Sequence, residues 1–192
     1  MTIVDELHSN FNEILAKLPE EEISLRSVAA ESFRKGLLLS AASFFEKQLI
    51  EIVIKLVRKW GGDNVALNEF VRIKAIERQY HTYFDWDRAN ANKFFALFGD
   101  DFKTFMSKRC REDSTFDAAV KAFLEVGRER NRLVHQDFGS FALEKTADEI
   151  FELYKKAAEF LPELEQSFCD YCSEARDAEH SQVEDLGDSK TP

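Results

Sequence analysis

The sequence predicts an all-α fold, an antiparallel bundle of about four main helices with short accessory helices. Three observations predict it. Apolar residues recur at three- and four-residue intervals along most of the chain. Gly and Pro, which interrupt helices, number only 7 and 3 among 192 residues, so long helices are expected. No segment of useful length alternates apolar and polar residues as a half-buried strand does. Hydrophobic residues make up 44%, enough for a sizeable core, and 18 Phe imply that aromatic rings build it.

The elements follow in order. Val4 to Leu18 carries Leu7, Phe11, Ile14, Leu15 and Leu18 at helical spacing and ends at Pro19. A second helix starts among Glu20, Glu21 and Glu22, which suit the positive end of a helix dipole, and stops at Gly61-Gly62. Its second half is apolar on nearly every side. Leu38, Ala41, Ala42, Phe45, Leu49, Ile52, Val53 and Leu56 form one stripe; Leu37, Phe44, Ile50, Ile54 and Val57 form another. A helix apolar all round is a buried one, so this helix is expected at the bundle centre or a dimer face. Leu67, Phe70, Val71, Ile73 and Ile76 suggest a further helix, and residues 81–87 read as a connection. Phe94, Phe95, Leu97 and Phe98 suggest a short helix closed by Gly99, and Asp100 is a candidate cap for the next. Ser114 is the expected N-cap of a helix with Phe116, Ala119, Val120, Phe123, Leu124 and Val126 on its apolar face. After the loop 136–140, Thr146-Ala147-Asp148-Glu149 fits the capping box that opens a last long helix, with Pro162 expected to kink or restart it.

Residues 1–172 therefore read as one helical domain. Residues 173–192, mostly polar and acidic with only Val183 and Leu186 large and aliphatic, read as a disordered tail.

The net charge of -10 argues against broad non-specific binding to nucleic acid, which needs cationic surface to displace counterions. Any RNA site is expected to be a small, local basic cleft. The three cysteines, Cys110, Cys169 and Cys172, do not make a disulfide framework and fit a reduced cytoplasmic setting. The first residues lack a signal peptide's basic and apolar regions, and no apolar run reaches the roughly 18–20 residues of a membrane span. No membrane partner is expected, and no metal or cofactor either: a lone Cys169-x-x-Cys172 lacks the four ligands of a zinc site. His81, Asp85 and Asp87 read as a solvated loop. Lys103, Lys108, Arg109 and Arg111 form a basic cluster that fits either an RNA backbone or a plain charged surface.

One segment combines cationic groups with an imidazole: Arg128-Glu129-Arg130-Asn131-Arg132-Leu133-Val134-His135. On a helix Arg128, Arg132 and His135 fall near one face, at spacings of four and three. Arg130 lies five residues before His135, displaced by about 140° around a helix, but its side chain is long enough to bend back. Spacing leaves two readings open. The cluster either complements the helix C-terminus and pairs with Glu125, Glu129 or Asp137, or it forms a site.

Arg130-Asn131-x-x-x-His135 resembles the Arg-x(4–6)-His motif of the HEPN superfamily, placed late in an all-α domain before one more long helix. Ser40-Ala41-Ala42-Ser43-Phe44-Phe45-Glu46 is similar to the aromatic-plus-Glu stretch of the long early helix in several HEPN families. The order of elements resembles the RiboL-PSP-HEPN or MAE-type groups over roughly Arg34 to Cys172. Many HEPN proteins are metal-independent ribonucleases of toxin–antitoxin, CRISPR or phage-defence systems, acting as dimers with two motifs facing across a cleft. The resemblance thus implies an RNA substrate, a homodimer and a protein antitoxin or defence partner. It also implies an endoribonuclease that uses the RNA's own 2′-OH. Arg130 would hold phosphate oxygens, His135 would exchange protons, and Asn131 would orient His135 or donate to the phosphate. Arg128, Arg132 and Glu46 would support them; Glu46 either holds Arg130, polarises His135 or makes an ordinary ion pair. A Tyr follows two residues after the motif His in many toxins modified by a nucleotide-transferring partner. Asp137 stands there in this chain, which argues against that modification. The alternative is a catalytically silent helical module that dimerises or binds a nucleotide or protein.

Overall fold

Thr2 opens the first helix, α1 (Ile3–Lys17), in a computed structural model that describes residues 1–62 and 64–188. Its hydroxyl accepts from the Asp5 N–H, and the Asp5 carboxylate accepts from the Thr2 N–H at 2.6 Å. α2 (Ile23–Gly61) is 39 residues long, which at 1.5 Å per residue is about 58 Å of helix. Every member of its first predicted stripe, from Leu38 to Leu56, is buried. Of the second stripe Leu37 is buried, while Phe44, Ile50, Ile54 and Val57 are half-buried against the core. α1, α7 (Ser114–His135), α8 (Ala147–Ala158) and α9 (Phe160–Asp188) all pack on α2, which is the central helix the sequence predicts.

The short elements lie between α2 and α7. They are α3 (Val65–Val71), a π turn (Arg72–Ile76), α4 (Tyr80–Tyr83), α5 (Asn92–Ala96) and α6 (Asp100–Glu112). No strand occurs among the described residues. The helix expected from Leu67 to Ile76 is thus split. Its widened last turn, closed by the Glu77 N–H on the Arg72 carbonyl, shifts the side-chain register. Ile76 reaches the core, whereas Leu67, Phe70 and Ile73 stay exposed.

Two expected caps sit one residue off. Asp113, not Ser114, caps α7, its carboxylate accepting from the N–H groups of Thr115 and Phe116. Gly99, at φ 103°, precedes α6, a conformation that Asp100 could adopt only with strain. Pro162 falls in the first turn of α9, where a missing N–H costs no helical hydrogen bond. The backbone of α9 continues as helix through Asp188, into the segment where the sequence predicts a tail; residues 189–192 lie outside the described residues.

The core is aromatic as predicted. Phe102 stacks on Phe168 at 4.3 Å, and Phe123 packs against Phe45, Phe84 and Phe160 with centroids 5.0–5.5 Å apart. Fully burying one such ring stabilises the fold by roughly 1.5–3 kcal/mol.

The α8 capping box forms as expected, with Thr146 and Glu149 each accepting from the other's N–H. Thr146→Ala should lower stability by about 1 kcal/mol in urea denaturation. The Thr146 backbone and hydroxyl hold the Glu149 carboxyl below its usual pKa. That contribution is fully present above the ordinary carboxylate range and is lost as pH falls through the lowered folded value. Thr146→Ala keeps the backbone N–H and loses only the hydroxyl's share, so the wild type should lose somewhat more stability than Thr146→Ala when the urea midpoint is followed from neutral pH into acid.

Candidate active site

α7 ends in the segment singled out by sequence, and its last two turns face a cavity of about 320 Å³. Gly127, Arg130, Asn131 and His135 supply one wall, Ala42 and Glu46 of α2 another, and Tyr80, His81 and Trp86 the third. That volume lies at the lower end of the range for small-ligand sites. Arg130 enters although it lies well round the helix from His135. Asn131 stands between them, and its side-chain oxygen accepts from Arg130 Nη1 at 3.2 Å, which ties the guanidinium to the cavity side. His135 is exposed at the rim; Arg130 and Asn131 are half-buried.

Arg128 and Arg132 do not join this group. Both turn to Glu129, a buried carboxylate 3.5 Å from Arg128 Nε and 3.1 Å from Arg132 Nη1, and Arg132 also lies over the Phe141 ring. Both offset the Glu129 charge, and Arg132 also ties the Phe141 loop to α7. Glu46 faces the cavity without a hydrogen bond to Arg130 or His135 among the described residues. The basic cluster is also apart. Arg109 pairs with Glu163, donates to Ser167 and covers the Phe116 ring. It meets α7 at Phe116, about 28 Å of helix before His135. Burial pushes the Cys110 thiol up to about 11, so it stays protonated and is no nucleophile near neutral pH.

The third wall is what sequence reasoning missed: of the connection 81–87, His81 and Trp86 line the cavity, Tyr83 and Phe84 are buried, and Asp85 and Asp87 stay outside the cavity. Tyr80 and His81 sit on the single turn α4, which follows the π turn and Arg78, a non-glycine residue at φ 60°. Phe84 is buried on Phe94 and Phe123 and anchors this turn to the core. Trp86 donates from its indole N–H to the His81 carbonyl at 3.0 Å and packs directly against Gly127. A Cβ at Gly127 would fall 2.0 Å from a Trp86 ring carbon, so only glycine admits the ring here. The readable signal was Gly127 itself: a glycine inside a helix costs about 1 kcal/mol and commonly marks close packing. Burial and the negative charge of Glu46 raise the Tyr80 pKa well above the usual phenol range, with Arg130 opposing. Its hydroxyl therefore remains protonated and can donate at neutral pH.

The cavity offers a fixed cation, an amide, a phenol donor and imidazoles. Those groups suit a phosphodiester: charge stabilisation by the guanidinium and proton exchange by an imidazole near neutral pH.

The chain is thus an all-α bundle in which the Arg-Asn-x-x-x-His segment closes α7 opposite the Phe-Phe-Glu segment of α2. The RiboL-PSP-HEPN family model matches residues 5–170, and the chain belongs to that family. No curated protein and no solved structure matches it. No helix among the described residues is long and apolar enough to cross a membrane.

Proposed function

We propose that this HEPN domain is a metal-independent endoribonuclease that cleaves single-stranded RNA or tRNA through the substrate's 2′-OH. One observation carries the reading: Arg130, Asn131 and His135 converge on one cavity, although helical spacing alone separates Arg130 from His135. Arg130 holds the phosphate oxygens and stabilises the charge that builds on them. His135 transfers a proton at the reacting oxygens. Asn131 holds Arg130 in place, and the neutral Tyr80 hydroxyl adds a donor. The cavity is small and local, which suits a chain of net charge -10.

A homodimer with the two motifs facing belongs to this reading. Val134 and Phe138, apolar yet 41% and 50% exposed, flank His135 and offer contact surface for a second chain. The setting it implies is a toxin or phage-defence effector held by a protein antitoxin or defence partner. The acidic balance favours the second reading, a silent dimerisation or binding module, in which His135→Ala weakens assembly and no nuclease activity exists to lose.

Incubation of the purified protein with single-stranded RNA in EDTA separates the two. Cleavage is expected, and the same strand carrying 2′-O-methyl groups should survive intact. Equal cleavage of both strands, or of neither, would exclude the 2′-OH reaction.

A further inference from the structure

Cleavage by internal attack moves two protons, one off the 2′-OH and one onto the departing O5′. His135 can handle one at a time. The cavity it lines contains a second imidazole, His81, from a different part of the chain. We infer that His81 is the second proton-transfer residue of the site, in the role that the facing motif of a second chain would otherwise fill. The inference rests on the ribonuclease reading above.

Three features support a built position for His81 rather than a stray surface histidine. Its main-chain carbonyl is held by the Trp86 indole N–H, and Trp86 is seated on Gly127, one helical turn before Arg130 and Asn131. Phe84, three residues on, is buried in the aromatic core. The turn also follows a π turn and a left-handed Arg78, unusual backbone of the kind that is held in place by its surroundings and concentrates at functional sites. Meanwhile the His81 side chain itself is exposed at the cavity and free to meet a substrate.

The charged and titratable groups around it are Glu46 from α2, Tyr80 from its own turn, and Arg130 and His135 from α7. Tyr80 keeps its proton and Arg130 its charge, so neither can exchange protons at neutral pH. Of the groups that remain, Glu46 and the two histidines, an imidazole can serve as either acid or base near neutral pH. The neutral imidazole takes the 2′-OH proton as the 2′-oxygen forms a bond to phosphorus. The P–O5′ bond breaks as the other, charged imidazole gives its proton to O5′. The products are a 2′,3′-cyclic phosphate and a free 5′-hydroxyl. Electrons and protons balance with no further reactant.

The test is kcat/KM against pH for wild type, His81→Ala and His135→Ala on a short single-stranded RNA, with thermal melts to confirm folding. A second substrate is uridine 3′-(4-nitrophenyl phosphate), whose leaving group needs no proton. Wild type should give a bell-shaped profile on RNA. His81→Ala should lose about 10²–10⁴-fold and one limb of the bell, a change that a packing defect would not produce. If the activated substrate restores its rate, His81 is the acid; if the loss persists, it is the base, and both outcomes support the assignment. A His81→Ala variant with wild-type rate and profile beside an inactive His135→Ala overturns it and leaves the ribonuclease reading standing. Wild-type protein that does not cleave RNA, or a His135→Ala variant as active as wild type, overturns both.

Discussion

Replacing His135 or Arg130 with Ala should reduce RNA cleavage by about 10²–10⁴-fold each. The two variants should differ in how they fail. In the proposed reaction His135 acts on protons only as bonds change, so its loss should fall on kcat with KM nearly unchanged. In the same proposed reaction Arg130 meets a phosphate already charged in the ground state and more strongly so in the transition state, so its loss should raise KM and lower kcat together. Arg130→Lys keeps the charge but loses the planar fork and its bond to Asn131, and should recover only part of the rate. Stability should change little in either case, because His135 is exposed and Arg130 makes its hydrogen bond to the adjacent residue. The readout is single-turnover and steady-state cleavage of one defined oligonucleotide, with the urea midpoint of each variant.

The second large effect is expected from two glycines in helices. Gly36 of α2 has nothing within 4 Å of an added Cβ, and Gly36→Ala should stabilise the protein by about 0.5–1 kcal/mol through helix propensity and a less flexible unfolded chain. Gly127→Ala gains the same propensity but places a methyl group 2.0 Å from the Trp86 ring. The indole must leave, taking its bond to the His81 carbonyl with it. The net result should be a loss of about 1–3 kcal/mol. Cleavage should drop by about 10²-fold, because a wall of the cavity moves by an ångström or more. Opposite signs for one chemical change, read by urea denaturation, and a shift in indole fluorescence for Gly127→Ala alone, would establish that Gly127 holds the site rather than the helix. A Gly127→Ala protein as stable and active as wild type would contradict this packing account.

Much of this architecture is legible in the sequence because its causes are local. The two stripes of α2, the Thr146–Glu149 box and the Pro162 restart each need only a few residues of context, and each is found where expected. Arg130, Asn131 and His135 are equally readable as a segment. What cannot be read locally is which neighbours they meet. The split of Arg128 and Arg132 toward Glu129 depends on a carboxylate buried by packing, and a helical wheel places those arginines with His135 instead. Tyr80, His81 and Trp86 reach the cavity only because a π turn, the Arg78 backbone and a buried Phe84 return the chain to α7 some fifty residues before its sequence neighbours there. Position-by-position patterning sees a polar, aromatic connection in that stretch. The one-residue errors at Asp113 and Gly99 have a similar origin, since several residue types can cap and backbone geometry chooses among them.

Internal attack in the cavity closed by Arg130, Asn131 and His135, as proposed, determines which ends a cut RNA carries. Mass analysis of the ends left on a defined single-stranded RNA, cut in EDTA by wild type and by His135→Ala, tests it most directly. Wild type should leave 2′,3′-cyclic phosphate and 5′-hydroxyl ends, and His135→Ala should leave the substrate intact. Products bearing 5′-phosphate, or the same products at the same rate from His135→Ala, would contradict it.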